Sequence, residues 1–477
     1  MKKIFTLLCC LYWCTSLVQA QPSDTYVQNI LTNGYMPGLN AAIVKEGHWM
    51  YQRNWGMADI NGNKPVSRET IFMMASISKT MMGTALMQLW EKGAFQLDDN
   101  INRYLPFAVN NPFHPADSIT FRMLMTHTSS IRDNGQIIGS MYSPGDSPIS
   151  LDTFLRNYLV PGGTYYNKSL NYYNLHPGRG WNYSNIGATL AAYLVQRITG
   201  DDYGHYCDTA IFRKLCMNNT SFRLAGIPDT NQVARPYYWD QAFFDAGLYG
   251  YPDYPDGQLR THITALGRFM TALLQYGQYD GARILDSATV ALMMQSHTTI
   301  NPMQGLVFVR YLVDGDSLWG HTGGDVGVST AMFFSYKTQT GVIVFSNGDG
   351  AGTYNMLTVL DTLYKYGRTL SPTSSDVFPP CELNTGVVHT EPQPVITQLY
   401  PNPASHTAWL EVNVPAGAPL QVTLTDMQGR LVQDVFNGTA TGPRKINIDL
   451  GNVSSGLYLV HISTGDARRS LKLTVLP

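Results

Sequence analysis

The sequence predicts an α/β or α+β domain followed by a small all-β sandwich. Three patterns carry this: a strand–turn–strand signal ahead of an apolar helix, a second strand-rich run near residues 305–347 with helices between, and a C-terminal series of short alternating segments. Side chains alternate faces along a strand but repeat every three or four residues along a helix, so the two periods separate the elements.

At the start, Lys2 and Lys3 precede an apolar run from Ile4 to Trp13 and a small-residue end at Val18-Gln19-Ala20, the pattern of a signal peptide over residues 1–20. Its core is too short for a stop-transfer helix, and no later stretch has membrane length, so no membrane span is expected after cleavage. Loss of the two lysines takes the formal charge from −2 to −4, and no basic run follows, which argues against nucleic acid as a partner.

The first domain is read over residues 25–368. "GLNAAIVKEGHWMYQRNWGMAD" reads as a hairpin, and "KTMMGTALMQLWEKG" as a helix whose Met81, Met82, Leu86, Leu89 and Trp90 are core. Residues 369–394 read as a linker, because "SPTSSDVFPPCELNTGVVHTEPQP" is dense in Pro, Ser and Thr. Residues 395–477 then offer "HTAWLEVNV", "LQVTLTD", "RKINIDL", "GLYLVHIS" and "SLKLTVL", alternating segments divided by turns. Of the cysteines beyond the signal peptide, Cys207 and Cys216 are near enough in sequence to pair, which would leave Cys381 as a free thiol in the linker.

The chemistry centres on "MASISKTMMG". In a helix, Ser76 and Lys79 share a face at i, i+3 while Ser78 points elsewhere. A serine at a helix N-terminus feels the positive end of the dipole, which favours negative charge on its oxygen and disfavours an ammonium beside it, so Lys79 is expected to serve as a base near neutral pH. Downstream come Tyr183-Ser184-Asn185 ahead of an amphipathic helix, and His321-Thr322-Gly323-Gly324 opening a strand-like run. The histidines show no H-E-x-x-H spacing and no paired cysteines, so neither a metal nor another cofactor is expected. His127 in "MTHTSS" reads as a buried hydrogen-bonding residue. "GDSL" at Gly315 to Leu318 imitates an esterase motif but sits in a Gly/Asp turn before His321. Two aromatic loops, "YYNKSLNYYNLHPGRGW" and "YYWDQAFFDAGLYGYPDYPDG", either wall a cleft or pack on themselves.

The ordered set Ser-x-x-Lys, Tyr-Ser-Asn, His-Thr-Gly resembles the serine β-lactamase and penicillin-binding-protein superfamily, in its class C β-lactamase-like, D-alanyl-D-alanine carboxypeptidase and esterase branch. "LDDNINRYLP", "ITFRMLMTHTSSI" and "PDGQLRTHITALGRF" support the likeness. The resemblance implies a β-lactamase-like sandwich of a mainly antiparallel sheet with helices, and an acyl-enzyme on Ser76. Tyr183 would relay the proton, backbone N–H groups of Ser76 and Gly324 would form the oxyanion hole, and Asn185 would hold Lys79 and the substrate. Thr322 would meet a substrate carboxylate, with His321 where many relatives carry lysine; a free histidine, of pKa about 6.5, would be partly cationic there. Ser130 stands where glycine is usual.

The implied substrates are D-alanyl peptides of peptidoglycan, β-lactams or small esters, the alternative being a catalytically idle, penicillin-recognising protein. The tail resembles the sorting domain of type IX secretion, on "YPNPAS", "LTDMQGRLV" and "SSGLYLVHI". That implies the type IX machinery as partner, and passage through the periplasm to the cell surface or beyond.

Overall fold

Strands Gly38–Lys45 and His48–Asp59 pair antiparallel across the two-residue turn Glu46–Gly47, at φ +51° and +82°. Two-residue turns with both residues at positive φ match the twist of the flanking strands, and Gly47 adopts that backbone without a Cβ clash. The computed structural model of the chain describes residues 22, 24–349, 352–381, 395–413, 417, 419–426, 430–439, 442, 444–464 and 467–476. The signal peptide at 1–20 and residues 382–394 of the linker lie outside the described residues.

The hairpin belongs to a seven-stranded sheet in the order Val309–Val313, Asp316–Asp325, Val328–Ser335, Thr340–Ser346, Gly38–Lys45, His48–Asp59, Lys64–Pro65. Every neighbouring pair is antiparallel. A strand from the start of the domain thus lies beside one from its end, with Leu39 opposite Ser346 and Lys45 opposite Thr340. Ala41, Ile43, Val342 and Val344 pack with Val27 and Leu31 of helix Asp24–Asn33 and Met356 and Leu360 of helix Gly352–Gly367. Their neighbours Ala42, Val44, Ile343 and Phe345 pack instead with helices Ser78–Glu91, Asn185–Thr199 and Ile263–Leu274. Both faces are therefore covered, which is why the central strands are buried at every position rather than every second one. The expected sandwich of an antiparallel sheet and helices is the observed architecture.

The chain divides into two compact units, residues 1–383 and 384–477. The second is all β. Three strands, in the order Val395–Tyr400, Thr407–Asn413, Arg444–Asp449, and four, in the order Leu431–Thr439, Pro419–Asp426, Gly456–Thr464, Ala467–Val475, share one core of Leu410, Val422, Leu424, Ile446, Ile448, Val460, Ile462 and Leu473.

Two expectations are corrected. Cys216 is disulfide-bonded to Cys381, with a Cα separation of 5.9 Å, while Cys207 is a buried free thiol. Cys207 ends the short helix Tyr203–Cys207 and packs into the core, so nearness in sequence did not become nearness of the sulfurs. The first part of the linker is also not free. Phe378 packs on Trp49 and Tyr279 at ring separations of 4.9 and 5.3 Å, and Arg268 donates to the carbonyls of Pro379 and Pro380 at 2.9 and 3.3 Å. A few side chains strap residues 376–381 to the first unit, contacts that a Pro/Ser/Thr-rich composition conceals.

Candidate active site

Ser76 lies in a single 3-10 turn, Ala75–Ile77, that runs into helix Ser78–Glu91. Ala75 stands at φ +45°, a left-handed backbone that folds the chain so that Ser76 opens the helix. The turn is pinned on two sides: Met74 N–H donates to Leu259 O at 2.8 Å, and Thr330 Oγ1 donates to Met74 O at 2.8 Å. Gly323 makes this approach possible, since a Cβ there would fall 2.4 Å from Met74 O and 3.0 Å from Ser76 N.

The i, i+3 spacing does what it predicts. Lys79 Nζ donates to Ser76 Oγ at 3.0 Å and to the backbone carbonyl of Asp256 at 2.7 Å. Ser78 is fully buried and its Oγ accepts from Leu259 N at 2.9 Å, so the neighbouring serines have separate tasks. Lys79, only 1% exposed, departs from the neutral base expected. Burial disfavours its charge, but Tyr183, Asp256 and Asp133 outweigh that and hold the ammonium above its ordinary range. The helix dipole argument counted one influence and left out Tyr183 first, then the carboxyls supplied by other segments.

Tyr183 lies within 5.1 Å of Lys79 Nζ, measured to the ring centroid, and its buried hydroxyl has no hydrogen-bond partner. It is positioned by the start of helix Asn185–Thr199, where Ser184 is the N-cap and accepts from Gly187 N at 2.9 Å. Asp133 completes the cap by accepting from Ser184 Oγ, Asn185 N and Ile186 N at 2.9, 2.7 and 3.1 Å. His127, buried as read, accepts from Ser184 N through Nδ1 at 3.2 Å, and its ring lies 4.3 Å from that of Tyr183. Burial first, then Lys79 and His321, push its pKa well down, so it is neutral. The turn at Ser130 takes φ +63°, where glycine is easiest, and its hydroxyl accepts from Asn111 Nδ2 at 2.7 Å.

The strand Asp316–Asp325 carries His321, Thr322 and Gly324. His321 is buried, its ring 6.2 Å from that of Tyr183. Burial and then Lys79 lower its pKa to about 4, so the partial positive charge expected near neutral pH is absent. Ser317 of the "GDSL" stretch is exposed in this strand opposite Leu312, and Asp316 is tied to Lys337 and Arg368.

Ser76, Tyr183, Asn185 and Gly324 line one cleft; Lys79 is buried and bonded to Ser76, and His321 and Thr322 are outside the lining. The rest of its lining is Ala75, Ile138, Tyr142, Tyr251, Asp253, Asp256, Gly257 and Asp325; the sequence offered the loop of Tyr251 to Gly257 as a possible wall but named no residue of it as a site. Tyr142 and Tyr251 donate to the two oxygens of Asp325 at 2.7 and 2.9 Å. The second aromatic loop therefore does wall the cleft through Tyr251, whereas Tyr166 and Tyr172 of the first pack on each other at 6.4 Å. The signal available was "YGYPDYPDG", two aspartates three apart in a Tyr/Pro-rich loop. Outside the cleft lining, His114, Asp117 and His176 bring one donor each within 4.8 Å of one another, a cluster that the motif spacings did not disclose.

A family model described as Beta-lactamase matches residues 24–361, and one described as a secretion system C-terminal sorting domain matches residues 398–476. Penicillin-binding protein 4* of Bacillus subtilis is 26% identical over 318 residues, covering 63% of this chain and 66% of that protein, so the chain spans just under two thirds of its length. The crystal structure of a penicillin binding protein from Bacillus halodurans aligns with a TM-score of 0.58 at 19% identity, over 71% of this chain and 99% of that one. D-amino acid amidase from Ochrobactrum anthropi SV3 aligns with a TM-score of 0.57 at 21% identity, over 71% and 96%. The fold is the antiparallel-sheet and helix sandwich of these penicillin-binding and amidase structures. The chain belongs to the beta-lactamase family, and its C-terminal unit is a type IX secretion sorting domain that marks it for export. No described helix is long and apolar enough to cross a membrane.

Proposed function

We propose that the protein is an exported serine hydrolase that forms an acyl-enzyme on Ser76 and acts on D-alanyl peptides, β-lactams or small esters. The observation that carries this is the contact of Lys79 Nζ with Ser76 Oγ at 3.0 Å, at a cleft whose lining also holds the unpartnered Tyr183 hydroxyl. The likeness to an amidase fits a site that cleaves carbonyl–nitrogen or carbonyl–oxygen bonds.

In the acylation step, Ser76 Oγ bonds to the carbonyl carbon. As the tetrahedral adduct collapses, the bond to the leaving nitrogen or oxygen breaks, taking the electron pair. The phenol of Tyr183 takes the Ser76 proton as its own proton passes to the leaving atom, and water reverses the relay in deacylation. Lys79, held as an ammonium, stabilises negative charge on the Ser76 and Tyr183 oxygens. Backbone N–H groups of Ser76 and Gly324 receive the oxyanion, each worth roughly 10²–10³ in rate. Asn185 orients the substrate, while Thr322 and a neutral His321, outside the cleft lining, are given no part in the bond-breaking step.

Mass spectrometry tests the reading: a penicillin, a D-alanyl-D-alanine peptide and a p-nitrophenyl ester are each offered to the purified protein. A covalent adduct on Ser76 that Ser76→Ala abolishes is expected. An adduct on Ser78, or undiminished turnover by Ser76→Ala, overturns it.

For export, we propose removal of residues 1–20, passage through the periplasm, and recognition of residues 395–477 by the type IX machinery. A chain ending at residue 383, which keeps Cys381, should fold and stay cell-associated while the full chain reaches the surface or medium. Equal export of both would refute the sorting role.

A further inference from the structure

The cluster of His114, Asp117 and His176 rests on chain that holds it in place. His114 and Asp117 are the first and last residues of one turn, closed by Asp117 N–H donating to His114 O at 3.1 Å. His176 opens a second turn, closed by Arg179 N–H donating to His176 O at 3.0 Å, with Gly178 at φ +80°. Pro115 and Pro177 follow the two histidines, so each turn has proline at its second position, where the fixed φ suits it and restricts the histidine before it. Asn111, fully buried, ties the two turns together: its Oδ1 accepts from Phe113 N at 2.9 Å, and its Nδ2 donates to Leu175 O at 3.0 Å. The residues immediately before both histidines therefore hang on a single side chain. Above this frame the His114 and His176 rings lie 3.7 Å apart, and His176 Nδ1 donates to Asp117 Oδ2 at 2.6 Å. An exposed pair of this kind gains little from charge that water screens, whereas two imidazoles and a carboxylate on fixed turns make a ligand set.

We propose that His114, Asp117 and His176 bind a divalent transition-metal ion of the zinc class, with water in the remaining position, and that the ion clasps the two turns to each other. Two imidazole nitrogens and one carboxylate oxygen are a donor set that suits zinc, whereas calcium and magnesium take shells of oxygen. Ligand atoms around a tetrahedral zinc stand about 3.3 Å apart, at bonds of about 2.0–2.1 Å. The three donors, all within 4.8 Å of one another, close on one ion through small side-chain rotations, and the hydrogen bond between His176 and Asp117 yields to it. His176 is exposed and the other two ligands are half-buried, which leaves an ion a path in. Motif spacings conceal the site because Asp117 and His176 are 59 residues apart in sequence. None of the three residues lines the Ser76 cleft, so the ion's role is to hold structure, and the site stands whether or not Ser76 reacts.

The test titrates Zn²⁺ into the purified, untagged protein after chelator treatment, by calorimetry, with Ca²⁺ and Mg²⁺ in parallel. Zinc should bind once per chain and more tightly than either. His114→Ala and His176→Ala should each weaken it by at least the roughly tenfold that loss of a group supporting a metal site causes. Zinc should also raise the Tm of the parent and leave that of the His114→Ala/His176→Ala double variant unmoved, since an ion that binds only the folded state stabilises it. The ligands sit on surface turns, so parent and variants should share one Tm in chelator. Where an alanine variant falls below it, His176→Gln, which keeps the turn and much of the side chain's length, carries the same comparison. Absence of zinc binding, zinc binding that these variants leave intact, or tighter binding of Ca²⁺ or Mg²⁺ would overturn the proposal.

Discussion

The two walls of the cleft are built on opposite principles. On the reacting wall, Ser76, Lys79, Tyr183 and Asn185 each sit at or beside the start of a helix; capping bonds from Ser184 and Asp133 direct Tyr183 and Asn185, while the helix of Lys79 has no side-chain cap and the turn of Ser76 is held by the bonds of Met74 to Leu259 and Thr330. The other wall is loop and strand end: Asp253 precedes a 3-10 turn, Tyr254–Asp256, that Asp256 ends, and Asp325 closes a strand. One wall takes its directions from helix starts; the other takes its shape from contacts that loops and a strand end make across the chain. The contrast teaches that a helix start sets its groups locally, whereas a loop wall depends on partners brought together in three dimensions.

The largest test of the contrast is loss of the reacting pair. Lys79→Ala and Tyr183→Phe should each lower turnover by roughly 10²–10⁴, the usual cost of losing a positioned acid or base. Their effects should fall well short of multiplying in the double variant, because both act on one proton path. Steady-state kinetics of the four proteins decides this, and fully multiplicative losses would divide the wall into two independent devices.

How much of this was open to the sequence follows from the same contrast. Ser-x-x-Lys, Tyr-Ser-Asn and His-Thr-Gly are local motifs whose geometry is set by helix and strand spacing, so the residues could be nominated one by one. In the C-terminal unit the alternating segments became strands, and two further strands, Val395–Tyr400 and Leu431–Thr439, join them; the second is an edge strand that exposes most of both faces and so lacks amphipathic contrast. The state of Lys79 depends on Tyr183, then Asp256 and Asp133, all from segments distant in sequence, so the local helix argument does not reach it. The Cys216–Cys381 link, 165 residues apart in sequence, and the Phe378 strap failed to declare themselves for the same reason: their partners meet only in three dimensions.

A smaller effect separates the walls by stability. Asp253 has a folded pKa of about 7 against an ordinary 3.8, so the folded protein binds more protons than the unfolded chain across that interval. Stability contributed by the protonated acid is present below pH 4 and lost as pH rises toward 7. Asp253→Asn, which cannot ionise, should therefore raise Tm relative to the parent at pH 8 and much less at pH 4. The gain is at most a few kcal/mol, at about 1.4 kcal/mol per pKa unit. Lys79→Ala should do the reverse at pH 8, stripping Asp256 and Asp133 of the buried ammonium beside them. Thermal denaturation at both pH values checks the pair, and an Asn variant less stable at pH 8 would mean that Asp253 is already paired within the fold.

The smallest expected effect lies where the walls are joined. Ser78, two residues from the nucleophile, accepts from Leu259 N at 2.9 Å, while Leu259 O accepts from Met74 N at 2.8 Å on the other side of Ser76. Leu259 follows Asp256 in the chain, so these bonds, with Lys79 on Asp256 O at 2.7 Å, stitch the acidic wall to the reacting one. Ser78→Ala leaves the buried Leu259 N–H without an acceptor, which costs about 1–3 kcal/mol. It removes no reacting atom, and Met74 and Lys79 keep the walls in register, so kcat should fall only a few-fold. Tm and kcat measure this together. A fall in kcat as large as that of Lys79→Ala, with Tm unchanged, would place Ser78 in the chemistry and undo the division between the two serines.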